Sequence, residues 1–196
     1  GQGAGKNAPL QIYGPKGIGA LYVRRESRRL RLEPLLTGGG QEMGLRSGTL
    51  NVAGCVGFSR AIELCQAGLF QEAERIGHLR SRLYEGLTRS VQNVSLNGPL
   101  LGGAPGRLPG NLNMCFLGVD GESLMMSMGN LAVSSGSACT SSDPEPSHVL
   151  RALGLDDDAT RSSLRFSLGR FNTGEEVDFA VGAVSDAVHR LRAMST

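Results

Sequence analysis

The chain has 196 residues, a net charge of +2 and 19% charged residues, enough length for one good core or for one and a half domains. Nothing in that charge balance suggests nucleic acid as a main partner, and no apolar run approaches the roughly 20 residues of a membrane span. Cys55, Cys65, Cys115 and Cys139 make no CxxC pair and show no metal-ligand spacing with His78, His148 or His189, which predicts reduced thiols, the first three as small buried hydrophobes.

The opening from Gly1 to Pro9 is Gly-rich and polar, lacks the apolar core of a secretory signal, and reads as a cut end or linker. Gly14-Pro15-Lys16-Gly17-Ile18-Gly19 is a turn block, followed by Ala20-Leu21-Tyr22-Val23, a short buried-strand signal. Arg24 to Arg31 is arginine-dense and reads as a solvated hairpin or loop. Gly38-Gly39-Gly40 opens a loop that runs through Arg46-Ser47-Gly48-Thr49, where the backbone must bend sharply or approach something closely. Hydroxyls and N–H groups in such a loop are able to cradle a phosphate.

From Asn51 the pattern turns helical, with Val52, Val56 and Ile62 and then Ile76, Leu79, Leu83 and Leu87 at spacings of three and four. Val94-Ser95-Leu96 is strand-like, and a Gly/Pro loop follows from Asn97 to Gly110. Leu112, Met114 and Phe116 alternate with Asn111, Asn113 and Cys115, predicting a half-buried strand. A short helix is expected around 122–128, then a strand at Leu131-Ala132-Val133 and another at Leu164, Phe166 and Leu168. Thr173-Gly174-Glu175-Glu176 is a capping box that starts a last helix through Val177, Val181, Val184, Val188 and Leu191. This succession predicts an α/β layer, with a domain boundary near Asn51.

Ser134-Ser135-Gly136-Ser137-Ala138-Cys139-Thr140-Ser141-Ser142 is the unusual stretch, one thiol among small residues. Spacing alone leaves two readings, an ordinary loop cysteine or a mobile loop that takes a nucleophilic thiol to a substrate. Arg165, on the polar side of its strand, is either a solvated partner for a surface carboxylate or a bidentate clamp for a substrate carboxylate.

These stretches together resemble the cysteine desulfurases of the NifS/IscS-like branch of class V aminotransferases, which are fold type I, pyridoxal 5'-phosphate (PLP) enzymes. The matching runs are Ile12 to Val23, Gly38-Gly39-Gly40-Gln41-Glu42, Arg46 to Thr49, Gly121-Glu122-Ser123-Leu124, Ser134 to Ser141, Glu145-Pro146-Ser147 with Val149-Leu150-Arg151, and Ser162 to Phe171. The resemblance implies a C-terminal small αβ domain, 51–196, after a remnant of the large PLP-binding domain, 1–50, whose first eleven residues are atypical. It implies that Cys139 forms a persulfide, that Arg165 holds the carboxylate of L-cysteine, and that Thr49 reaches the PLP phosphate of a neighbouring subunit in a homodimer. L-Alanine would be released, and the sulfur would pass to an iron–sulfur scaffold or another acceptor protein. The implied setting is cytoplasmic, or the mitochondrial matrix in a eukaryote.

One departure is chemical. The family places its Schiff-base lysine, preceded by a histidine, directly before the Ile-Tyr-Gly-Pro-Lys-Gly run, and Gln11 and Leu10 stand there instead. The only lysines are Lys6 and Lys16. The desulfurase is therefore incomplete in these residues, and a non-catalytic binding module and a PLP-independent sulfur carrier stand as alternatives.

Overall fold

A computed structural model describes residues 12–23, 32–101, 106–135 and 147–194. They fall into two compact units, one ending at Leu69 and one beginning at Phe70, with the division inside helix α1, Val52–Ser90. Asn51 starts α1 by accepting the Gly54 N–H on its side-chain oxygen at 3.0 Å, the N-cap arrangement that answers one of a helix's unpaired first-turn donors.

The first unit holds turns, a loop closed by a 3-10 turn at Gln41–Gly44, and the start of α1. Ala61 is the one buried hydrophobic side chain among its described residues. Leu21, Tyr22, Leu35, Met43, Val52 and Val56 are all exposed. The strand expected at Ala20 to Val23 is not formed: these residues belong to no helix or strand. A strand exists only with a hydrogen-bonded neighbour, and the described residues place every paired strand in the second unit. Arg24 to Arg31 lies outside the described residues.

The second unit is an antiparallel sheet of four strands under two helices. The strands are β1 (Val94–Leu96), β2 (Asn111–Phe116), β3 (Ser134–Ser135) and β4 (Ser163–Ser167), in spatial order β1-β2-β4-β3. In the β2–β4 register Leu112 faces Phe166 and Met114 faces Leu164, whereas Asn113 faces Arg165 and Cys115 faces Ser163. Because side chains alternate along a strand, the first set enters the core and the second lines the opposite, polar face. Leu83 and Leu87 of α1, with Val177, Ala180, Val184 and Val188 of α5 (Gly174–Met194), fill the other side of the core. The two helices meet closely at Gly86, where a β-carbon would come within 2.6 Å of Val181 Cγ2; glycine is what lets them approach.

Three short helices complete the unit: α2 (Gly121–Met126), α3 (His148–Ala152) and α4 (Asp157–Arg161). Asp120 caps α2 by accepting the Ser123 N–H at 2.8 Å, and Asp156 caps α4 by accepting the Ala159 N–H at 2.8 Å. The last two are absent from the sequence reading, since a helix of one or two turns has no periodicity to detect. The strand expected at 131–133 falls instead on Ser134–Ser135. Leu131 and Val133 are half-buried against the core without pairing, so apolar character there marks packing and not a ladder.

The expected burial of three cysteines holds for one. Cys55 is exposed and Cys65 half-buried, on the early turns of α1, while Cys115 is buried. Cys115 lies on the polar face of β2 where the passage from α4 into β4, at Ser162–Ser163, comes close: Ser163 Oγ donates to Ala159 O at 2.6 Å, and Phe116 N to Ser162 O at 2.7 Å. Burial pushes its thiol up from its ordinary value, against hydrogen bonds with Ser163 and Ser95. Such a thiol is inert.

The capping box is formed as expected. Glu176 N donates to Thr173 Oγ1 at 3.2 Å, and Thr173 N donates to Glu176 Oε2 at 3.1 Å. The Asn172 side chain, which also donates to this carboxylate, and then the Thr173 N–H hold Glu176 below its ordinary value of 4.5. A carboxyl depressed in the folded state stabilises above its unfolded value, and that stabilisation is lost as pH falls through the folded one. The melting-temperature difference between wild type and Glu176→Gln should therefore be largest at neutral pH and close progressively below about pH 4.5. A difference that stays constant into acid would contradict the cap's charge dependence.

Candidate functional site

Arg165 stands in the middle of β4, between Leu164 and Phe166, which are both drawn into the core. Alternation therefore turns its guanidinium outward, and it is exposed. Its register neighbours are Asn113 on β2 and Ser134 on β3. Its Nη2 donates to Ser134 Oγ at 3.3 Å, and the Ser134 hydroxyl donates to Ser135 O at 2.9 Å. Among the described residues no carboxylate pairs with Arg165, so the surface ion pair that the sequence left open is not made. The fork remains available to an anion from outside.

The polar row beside Arg165 is already satisfied. Asn97, 6% exposed, donates from Nδ2 to Asn113 Oδ1 at 2.7 Å and to Ser163 Oγ at 2.8 Å. Its N–H donates to Asn113 O at 2.9 Å. The sequence reading missed Asn97, whose only signal was a polar residue directly after a strand. Such a closed network holds its side chains in one geometry, which leaves Arg165 as the charged, open end of the row.

Cys139 lies outside the described residues, but it follows Ser135, the register partner of Leu164, by four positions. Four residues of fully extended chain span about 14 Å at most, which bounds the Cα separation of residues 135 and 139. Description resumes at Ser147, buried at the start of α3.

Thr49 belongs to the first unit and is exposed. Its loop is closed by Leu36 O, which accepts both the Ser47 N–H at 3.2 Å and the Ser47 hydroxyl at 3.1 Å. Gly48 N donates to Gln41 Oε1 at 3.1 Å. Glu42 and Met43 both take left-handed backbone conformations, with φ of 50° and 57°, which few non-glycine residues adopt. Within the loop, then, the Ser47 hydroxyl and the Gly48 N–H are spent on closure. The Thr49 side chain, like that of Thr37, is exposed.

Neither unit brings together everything a PLP site requires. Gln11 and Lys6 lie outside the described residues, and Lys16 is exposed on its turn. From residue 17 onward the sequence contains no lysine at all, so the second unit, which carries Arg165, offers no Schiff-base amine of its own. The donor set of that unit does not fit a covalently anchored PLP. Among the described residues no group of histidines, cysteines and acids could hold a metal ion, and no helix is long and apolar enough to cross a membrane.

Residues 11–179 match the aminotransferase class-V family. Over 185 residues, 94% of the chain, it is 52% identical to cysteine desulfurase IscS of Tolumonas auensis, covering 44% of that protein. Over the same share it is 54% identical to cysteine desulfurase IscS of Anaeromyxobacter sp. (strain Fw109-5), covering 45% of it. Among solved structures, a NifS-like protein superposes with a TM-score of 0.76 at 33% identity, over 92% of this chain and 45% of the other. The chain thus spans under half the length of the curated relatives it matches.

Proposed function

The chain belongs to the aminotransferase class-V family, and from that premise we propose that it is the sulfur-receiving part of a cysteine desulfurase. In this reading residues 1–50 are a remnant of the large domain and 51–196 the small one. Arg165 holds the carboxylate of L-cysteine and Cys139 accepts its sulfur. Overall, L-cysteine and the Cys139 thiol give L-alanine and a Cys139 persulfide, with every atom conserved. The pairing of Ser134 with Arg165 carries the proposal, because it starts the Cys139 segment at the strand edge where the guanidinium is open.

The chain's own residues perform two tasks. A guanidinium remains protonated and offers two parallel N–H donors, so it fixes a carboxylate in orientation as well as place. Small residues on both sides of Cys139 put no bulk between the thiol and an incoming sulfur, and a thiolate is the nucleophile that sulfur transfer needs. Carbon–sulfur cleavage leaves an electron pair on the substrate's β-carbon, chemistry that PLP supplies in this family. Thr49 is the proposed phosphate contact in a homodimer. The proposed acceptor is an iron–sulfur scaffold or another sulfur-accepting protein, and the proposed setting is the cytoplasm or the mitochondrial matrix.

A second reading, a PLP-independent sulfur carrier, is favoured by Gln11. Mass spectrometry of Cys139 separates the two. Persulfide formed from L-cysteine, in an assembly of this chain with the lysine-bearing upstream portion of one of its relatives, supports the desulfurase. Persulfide formed only from a donor persulfide supports the carrier. No adduct from either source leaves a binding module and refutes both.

In the same assembly Arg165→Ala should raise KM for L-cysteine about 10- to 100-fold, the equivalent of losing a charged hydrogen-bond pair. Arg165→Lys should fall between, since it keeps the charge and loses the fork. An unchanged KM in both variants would remove Arg165 from the substrate site.

A further inference from the structure

We infer that residues 12–194 supply no lysine that anchors PLP, so that the Schiff-base lysine of any PLP assembly containing this chain comes from outside that span. The inference rests on the desulfurase reading and adds where its cofactor link must lie. Anchoring condenses a primary amine with the cofactor's aldehyde: a carbon–nitrogen double bond forms and one water leaves, carrying the aldehyde oxygen and two hydrogens. A glutamine side chain cannot do this, because its nitrogen lone pair is delocalised into the amide carbonyl. Nor do guanidinium groups serve, being protonated at any working pH. Of the 20 lysines and arginines, Lys6 and Lys16 alone are lysines.

The structure argues against Lys16. It lies between Pro15, whose ring fixes the backbone, and Gly17, whose φ of 83° reverses it. The turn is tied to α1 from the other side, where the Cys65 thiol meets Ile12 O at 3.6 Å. Lys16 projects from this turn into solvent, without the apolar pocket that activates an imine-forming lysine. Arg165 stands on a unit that has no lysine anywhere between Phe70 and Thr196. No imine can therefore form beside the carboxylate clamp from within that unit.

The test uses the full chain with equimolar PLP, borohydride reduction and peptide mass spectrometry. Folded chain should show no more pyridoxyl at Lys16 than the same chain unfolded in urea, where it reacts only as a free amine. A Lys16→Arg variant should retain as much PLP through desalting as wild type. Preferential marking of Lys16 in the folded chain, or loss of retained PLP in the variant, overturns the inference. Either result leaves sulfur transfer to Cys139 untouched. Conversely, a Cys139 that accepts sulfur from no donor would end the desulfurase reading while leaving the lysine result as it stands.

Discussion

Cys139→Ser removes persulfide formation, with a fall of roughly 10³-fold or more, as expected when a covalent nucleophile is lost. The exchange changes one atom, from a polarisable sulfur with an accessible thiolate to a hydroxyl oxygen that ionises far above neutral pH. The other cysteines serve as controls. Cys115 is buried, and its thiol is pushed up by that burial, so Cys115→Ser should leave persulfide yield unaltered. Cys55 is exposed and Cys65 half-buried on α1, in the first unit. Each can react with excess donor, but neither follows closely in sequence on the strand that pairs with Arg165. The measurement is the persulfide-bearing peptide together with alanine released. Wild-type yield in Cys139→Ser, with the sulfur on Cys55 or Cys65, would move the acceptor role elsewhere.

Phe116→Ala should destabilise the second unit by about 3–5 kcal/mol. Phe116 ends β2 at 0% exposure and meets Phe166 edge-on, with ring centroids 6.4 Å apart and planes at 67°. Removing the ring forfeits its transfer free energy and that contact, and it leaves a cavity under α1 and α5 that the sheet cannot close by itself. Domains are stable by only about 5–15 kcal/mol in total, so the variant should lie close to unfolding. The expected fall in melting temperature is roughly 10–20 °C. Phe116→Leu, which keeps most of the volume, should cost about 1.5 kcal/mol or less. A Phe116→Ala variant within 1 kcal/mol of wild type in urea unfolding would show that this core is not continuous.

How legible the fold was differs by element. Alternation of Leu112, Met114 and Phe116 with Asn111, Asn113 and Cys115 predicted β2 with its ends correct, because strand period and burial agree there. The last helix and its cap were equally readable, since both halves of a capping box are written in four consecutive residues. The strand expected at Ala20 to Val23 failed for the opposite reason. Its apolar residues mark a surface to be covered, and no neighbour pairs with it among the described residues. The expectation at 131–133 failed more narrowly: Leu131 and Val133 pack on the core, while the ladder forms at Ser134–Ser135. Arg165 could be placed on a polar strand face from sequence, but not beside Ser134, because a period of two assigns faces and does not choose neighbours.

The amino-acid order by itself determined the alternating strands, the Thr173–Glu176 capping box, the family motifs and the lack of any lysine after residue 16. Each of these depends on residues close together along the chain, or on simple inventory. Only the tertiary structure decided that β3 lies against β4 at Arg165, that Cys115 is buried beside α4 while Cys55 is open to water, and that Asn97 closes the polar row. Those outcomes come from contacts between segments tens of residues apart, where a pairing is won by whichever partner buries the most surface and satisfies the most hydrogen bonds.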